Sequence, residues 1–257
     1  MLRRIATDNS REKAYPYNIF PQGLDLKIIN PLTFFVGENG TGKSTILESL
    51  ALKTNLPTIG SSSTNQDQSL SHLKDFATDL KLSWDIVTHK GFFLRAEDFF
   101  GFTKYLHHLE VELKELKEHY NQNFTGYGKD LAVATIQGQI NNIVSRYGDL
   151  NALSHGQGFL KLFKQRLVPG GLYLLDEPEA ALSPTRQLSL ISLIKNMLSQ
   201  NCQFIIATHS PILLSFQPGQ YFNFQNGQVR ETKQSQIEHI SLTKSILQSP
   251  ESFFSKL

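Results

Sequence analysis

The chain of 257 residues is 40% hydrophobic and 19% charged, with 17 glycines and 10 prolines; this usage excludes a disordered, collagenous or coiled-coil protein and calls for one large domain spanning 1–257. Cys202 is the single cysteine, so no intramolecular disulfide can form, and at this length none is needed to hold a core. The 25 basic and 23 acidic side chains leave a net charge of +2, which announces neither a nucleic acid nor a membrane; no apolar run approaches the roughly 20 residues of a bilayer span, and MLRRIATDNS lacks the apolar centre of a signal peptide, so the expected location is the cytoplasm, without membrane insertion.

In chain order, PLTFFV at 31–36 is a short apolar run of strand formers, followed by the Gly-rich GENGTGKS and by TILESLAL at helical spacing. That order predicts strand, tight loop and helix. The polar stretch 58–71, TIGSSSTNQDQSLS, reads as an exposed loop. Over 102–120, Leu106, Leu109, Leu113 and Leu116 follow three-and-four spacing with Glu and Lys on the other faces. Two heptads fall short of a coiled coil, so the expectation is an amphipathic helix packed on the body of the domain, with His107 and His108 on its surface.

Further on, GFLKLFKQRL reads as a helix, LYLL at 172–175 as a strand, 184–199 as an amphipathic helix and FIIAT at 204–208 as a second strand. Short apolar runs alternating with helices describe a mainly parallel sheet. QYFNFQNGQVRE predicts a hairpin turning at Asn226-Gly227. The doublets Phe34-Phe35, Phe92-Phe93, Phe99-Phe100 and Phe253-Phe254 are read as core.

Residues 37–44 match G-x-x-x-x-G-K-[ST] between the expected strand and helix, the context that pattern requires. Gly37, Gly40 and Gly42, with Glu38, Asn39 and Thr41 between them, let the backbone turn tightly and aim N–H groups at phosphate oxygens beside a helix N-terminus. Lys43 supplies a cation for the terminal phosphates, Ser44 a hydroxyl for Mg²⁺, and Thr45 a donor to an inner phosphate. The run LYLLDEP then ends a strand in two carboxylates, Asp176 to hold Mg²⁺ and Glu177 to act as general base on the attacking water.

Between these motifs, LSHGQ at 153–157 resembles the LSGGQ signature of ABC-type ATPases, with His155 in place of one glycine; PEAALSP resembles that family's D-loop, and His209 in THSP stands where its switch histidine lies. The resemblance covers nearly the whole chain, and DEPEAALSP and THSP are more similar to the RecF, SMC and OLD-related ATPases, and to a group of small predicted bacterial ABC-type ATPases, than to transporter subunits. It implies an α/β P-loop NTPase fold of ABC type: a mainly parallel sheet flanked by helices, an antiparallel β part, and a helical lobe at about 99–165. It further implies an enzyme that hydrolyses ATP with Mg²⁺ and closes into an ATP-sandwiched homodimer. Ser154, Gly156 and Gln157 would then act in trans on the γ-phosphate, and His209 would sense it. A separate effector protein is expected as partner, with room left for nucleic acid, in genome maintenance or anti-phage defence; the alternative is the nucleotide-binding subunit of an ABC transporter. The chain departs from the pattern at the Q-loop, where Phe93-Leu94-Arg95-Ala96-Glu97 has no glutamine and Glu97 is the substitute for contacting Mg²⁺ or water. Tyr17 and Tyr15 are the candidates for stacking on adenine, with core packing the competing role.

Overall fold

The computed structural model describes residues 1–8, 14–58, 68–147 and 155–255, with backbone alone at 68, 69, 97, 100, 103, 146, 147 and 155–157. Six strands form the main sheet: β3 (Leu32–Gly37), β5 (Gly91–Arg95), β6 (Leu172–Asp176), β7 (Gln203–Ala207), β8 (Gln220–Gln225) and β9 (Gln228–Thr232). Their order is β5-β6-β7-β3-β8-β9, parallel throughout except for β9, which returns antiparallel on β8. A smaller antiparallel sheet, ordered β2-β1-β4, consists of β1 (Leu2–Thr7), β2 (Leu24–Lys27) and β4 (Lys81–Trp84). The protein is therefore an α/β P-loop fold with a mostly parallel sheet and an antiparallel part.

The period-2 alternation of the strands divides the doublets Phe34-Phe35 and Phe92-Phe93 between two cores, while Phe253-Phe254, expected as core, lies at the surface with Phe254 59% exposed. Phe34, Phe92, Tyr173, Leu175, Phe204 and Ile206 face one side, where α5 (His155–Arg166) brings Phe159, Leu162 and Phe163, and α6 (Pro184–Leu198) brings Leu190, Ile194 and Met197. Phe35, Phe93, Leu174 and Ile205 face the other, where α1 (Lys43–Thr54) packs Ile46, Leu47, Leu50 and Ala51 together with Leu2, Ile5, Leu24 and Leu26 of the small sheet. Burial on both faces is why β3, β6 and β7 read as continuous apolar runs. The sheets are also joined by the buried Gln203 amide, whose Oε1 accepts from the Leu2 N–H at 2.8 Å while its Nε2 donates to the Leu2 carbonyl at 2.9 Å. The β8–β9 hairpin turns at Asn226-Gly227, both with positive φ (51° and 72°), as a two-residue primed turn requires.

The loop expected over 58–71 is ordered at both its described ends. Thr58 is buried and bridges Phe93, and Leu70 packs with Leu52, Leu73 and Ala77, the last from α2 (Lys74–Asp79). A polar composition hid these anchors. The amphipathic helix is longer than its leucine spacing suggests: α3 runs Ala96–Asn123, 28 residues, and about 42 Å at 1.5 Å per residue. It pairs with α4 (Tyr127–Tyr147), and Leu113 joins Ile136, Ile140 and Ile143 in a small cluster separate from the two main cores. The far part of α3 therefore packs on α4 rather than on the domain body, and Leu116 is 44% exposed. Among the described residues, no helix is long and apolar enough to cross a membrane.

Candidate functional site

The site residues converge because β6, β7 and β3 are neighbours and their C-terminal ends emerge together, the edge at which open α/β sheets bind ligands. From β3, Gly37 (φ 138°), Gly40 (φ 77°) and Gly42 (φ 98°) turn the chain into α1. At two of these positions a side chain would meet a neighbour: a Cβ at Gly37 would run into the Phe224 carbonyl, and one at Gly42 into the Phe20 ring. Thr41 Oγ1 donates to the Glu38 carbonyl at 2.8 Å, closing the loop on itself. Lys43 is buried, and its ammonium donates to the carbonyls of Gly37 (2.8 Å) and Glu38 (2.7 Å). Burial lowers its pKa, against the opposing pull of Glu177, Asp176 and Glu179.

Asp176 ends β6. Burial pushes its carboxyl up to about 7, opposed by a hydrogen bond from the Ser44 hydroxyl, with Glu48 and Glu177 adding to the rise. Its Oδ1 is buried without a hydrogen-bond partner. An unpartnered carboxylate oxygen beside a hydroxyl is a hard-oxygen donor set, which fits Mg²⁺ completed by phosphate and water; among the described residues no cluster of three or more His, Cys, Asp or Glu offers a fuller cage. Glu177 follows in the left-handed region (φ 47°), with its backbone N–H donating to the Ala207 carbonyl at 2.9 Å. That geometry leaves its side chain 46% exposed toward the cleft lined by Ser44, Glu48, Arg95, Ala96 and Asp176.

After β7, Glu179 braces the turn that carries His209. Its Oε1 accepts from Thr208 Oγ1 (2.7 Å), the His209 N–H (2.7 Å) and the Ser210 N–H (3.1 Å). His209 Nε2 lies 3.7 Å from Glu177 Oε1 and is buried without a hydrogen-bond partner. Burial lowers the His209 pKa, with Lys43 and His239 adding to the fall and Glu177 opposing it.

The structure thus brings together the phosphate loop, Lys43, Ser44, Asp176, Glu177 and His209. It also separates the two adenine candidates. The Tyr15 hydroxyl lies 3.2 Å from Thr45 Oγ1, and the half-exposed Tyr15 ring faces His72 at 5.5 Å. Tyr17 instead packs edge-on against Phe76 and donates to Asp79 at 2.6 Å, so its ring belongs to the α2 side. Ser154 lies outside the described residues. Gly156 and Gln157 fall in the first turn of α5, and Glu97 in the first turn of α3, with only their backbones described. In that place the cleft is lined by Arg95, which pairs with Asp98 (2.8 Å) and Glu48 (3.3 Å). Arg95, Glu48, Glu179 and His239 are the site residues that sequence reasoning missed. Each owes its place to a partner that only the fold brings near.

This fold and this constellation define a P-loop nucleoside triphosphatase of the ABC/AAA class. Residues 53–215 match the family described as "AAA domain, putative AbiEii toxin, Type IV TA system", and the chain belongs to that family. The chain is 27% identical over 209 residues, 77% of its length and 73% of the relative's, to a Haemophilus influenzae protein named "Uncharacterized ABC transporter ATP-binding protein". Among solved structures, it superposes with a TM-score of 0.51 and 15% identity on the ADP conformation of MJ1267, an ATP-binding cassette of an ABC transporter, over 96% of this chain and 97% of that one. A putative metal-chelate type ABC transporter in an inward-facing conformation matches with a TM-score of 0.49 and 20% identity, over 92% and 85% of the two chains.

Proposed function

We propose that the protein is a Mg²⁺-dependent ATP hydrolase that closes head to tail around two nucleotides as a homodimer, opens after hydrolysis, and so switches a separate partner protein. The observation that carries this reading is the convergence of Lys43, the unpartnered Asp176 Oδ1 beside Ser44, and Glu177 within 3.7 Å of His209. The loop amides and Lys43 bind the β- and γ-phosphates, with Lys43 exchanging its two loop carbonyls for phosphate oxygens. Ser44 and Asp176 would hold Mg²⁺, which when bound draws charge off the phosphate oxygens. Glu177 accepts a proton from water as the water oxygen forms its bond to the γ-phosphorus and the bond to the ADP oxygen breaks. His209 Nε2–H donates to a γ-phosphate oxygen, a hydrogen bond that ends when the phosphate departs.

Ser154, Gly156 and Gln157 would complete the partner protomer's site, a reading supported by the place of Gly156 and Gln157 in the first turn of α5. A role in defence is the reading that the family's description, which names a toxin–antitoxin system, supports. The relative's name is in keeping with a second reading, a transporter's nucleotide-binding subunit. Copurification from native cells discriminates between them: a soluble effector or nucleic acid supports the first reading, and a membrane permease overturns it. For the enzyme itself, Glu177→Gln binds ATP without turnover and elutes as a dimer in size-exclusion chromatography with ATP and Mg²⁺. A strictly monomeric elution overturns the sandwich.

A further inference from the structure

His239 opens the first turn of α8 (Glu238–Gln248), next to Ile237, which is buried in the same core as Leu213 of α7 (Pro211–Leu214). This packing fixes the start of α8 against the turn that carries His209. The two imidazoles meet edge to face, with ring centroids 4.9 Å apart and planes at 89°. His209 Nδ1 and His239 Nε2 are 3.2 Å apart, a hydrogen bond between two ring nitrogens, so one must donate and the other accept.

If His209 Nδ1–H were the donor, its Nε2 would present a bare lone pair toward Glu177 Oε1, 3.7 Å away, and could donate to nothing. If His239 Nε2–H is the donor, a neutral His209 carries its proton on Nε2, attracted by the Glu177 carboxylate. The carboxylate selects the second arrangement, because the first sets two lone pairs against each other. The unpartnered Nε2 is then a donor awaiting an acceptor, as a terminal phosphate would be.

We propose that His239 is a positioning residue that holds His209 in the Nε2–H tautomer and at the angle needed to donate to the γ-phosphate. This rests on the reading of the cleft as an ATPase site. His239 itself stays behind His209, on the side away from Glu177, and reaches the reaction through that ring alone. Outer hydrogen-bond partners of metal-ligating histidines typically matter by about 10–100-fold, and an effect at the lower end of that range is expected for a partner of a phosphate donor.

Tautomers can be read without nucleotide in histidine-selectively ¹⁵N-labelled protein, from two-bond ¹H–¹⁵N correlations assigned with His209→Gln. Wild type should show His209 as the Nε2–H form. His239→Ala should convert it to a mixture or to Nδ1–H, while His239→Gln, whose amide nitrogen can donate in the same place, should retain it. In turnover assays, His239→Ala should lower kcat about tenfold with the KM for Mg·ATP within about twofold, and His239→Gln should restore most of the rate. A His209 spectrum unaltered by His239→Ala overturns the proposal whatever the turnover. A His239-dependent tautomer in a wild type that hydrolyses no ATP instead overturns the ATPase reading and leaves the positioning of His209 standing.

Discussion

Leu174, in the middle of β6, is fully buried against α1 and its neighbours, whereas Leu131, near the start of α4, is 57% exposed. The contrast extends to the regions they represent. At the strand ends, loop glycines abut backbone and ring, Gln203 ties the two sheets together, and Glu179 anchors three donors with one oxygen. The α3–α4 hairpin rests on Leu113, Ile136, Ile140 and Ile143, and leaves Tyr105, Leu116, Phe124 and Tyr127 exposed. One region is held by close backbone contacts and side-chain hydrogen bonds as well as by packing. The other has the stability that its small cluster supplies.

The largest way to break this comparison is Lys43→Ala. It removes the cation at the phosphates, and ATP hydrolysis should fall by a factor of 10² or more, on the order of 3 kcal/mol of transition-state stabilisation. Undiminished hydrolysis would move the site elsewhere. Next, Leu174→Ala opens a cavity between sheet and α1 and should cost about 3–5 kcal/mol in denaturant unfolding, followed by every probe of the fold. Ile140→Ala should cost about 2–4 kcal/mol, but chiefly within the hairpin: hydrogen exchange should rise across α3 and α4 while ATP binding stays within about twofold. Equal protection loss in β6 would show that the two regions open together.

A further expected effect concerns pH. Asp176 has its carboxyl raised from the usual 3.8 to about 7, so the folded protein takes up a proton that the unfolded chain does not hold between those values. Nucleotide-free stability should therefore fall as pH rises from about 4 to 7, and remain at the lower level above that. Asp176→Asn removes the dependence; its Tm at pH 8 should exceed wild type by a few degrees, while Mg²⁺-dependent ATP turnover is lost. A wild-type Tm that climbs over pH 4–7 in step with the variant's would contradict the raised carboxyl.

The phosphate loop, the acidic strand end and the Asn226-Gly227 turn were legible because each is specified within about eight residues of chain. Glycine spacing sets a loop, an apolar run sets a strand, and a two-residue turn selects its own dihedrals. Arg95 and His239 were not legible. Arg95 reaches Glu48 across 47 residues, and His239 reaches His209 across 30. Glu97 has only its backbone described, and Arg95 of the same block lines the cleft. The leucines of α3 foretold a helix with an apolar face but not what covers that face, because α4 supplies the cover from beyond the turn.

The Phe34-Phe35 doublet bears on which changes of length the chain can survive. Since the two rings enter opposite cores, one inserted residue in β3 would exchange the occupants of both cores and displace Gly37 from the Phe224 carbonyl in the same stroke. The exposed turn at 124–126 carries no such double duty. Lineages of this protein should therefore vary in the reach of the hairpin, by whole helical turns, while the spacing from Leu32 to Ser44 stays fixed.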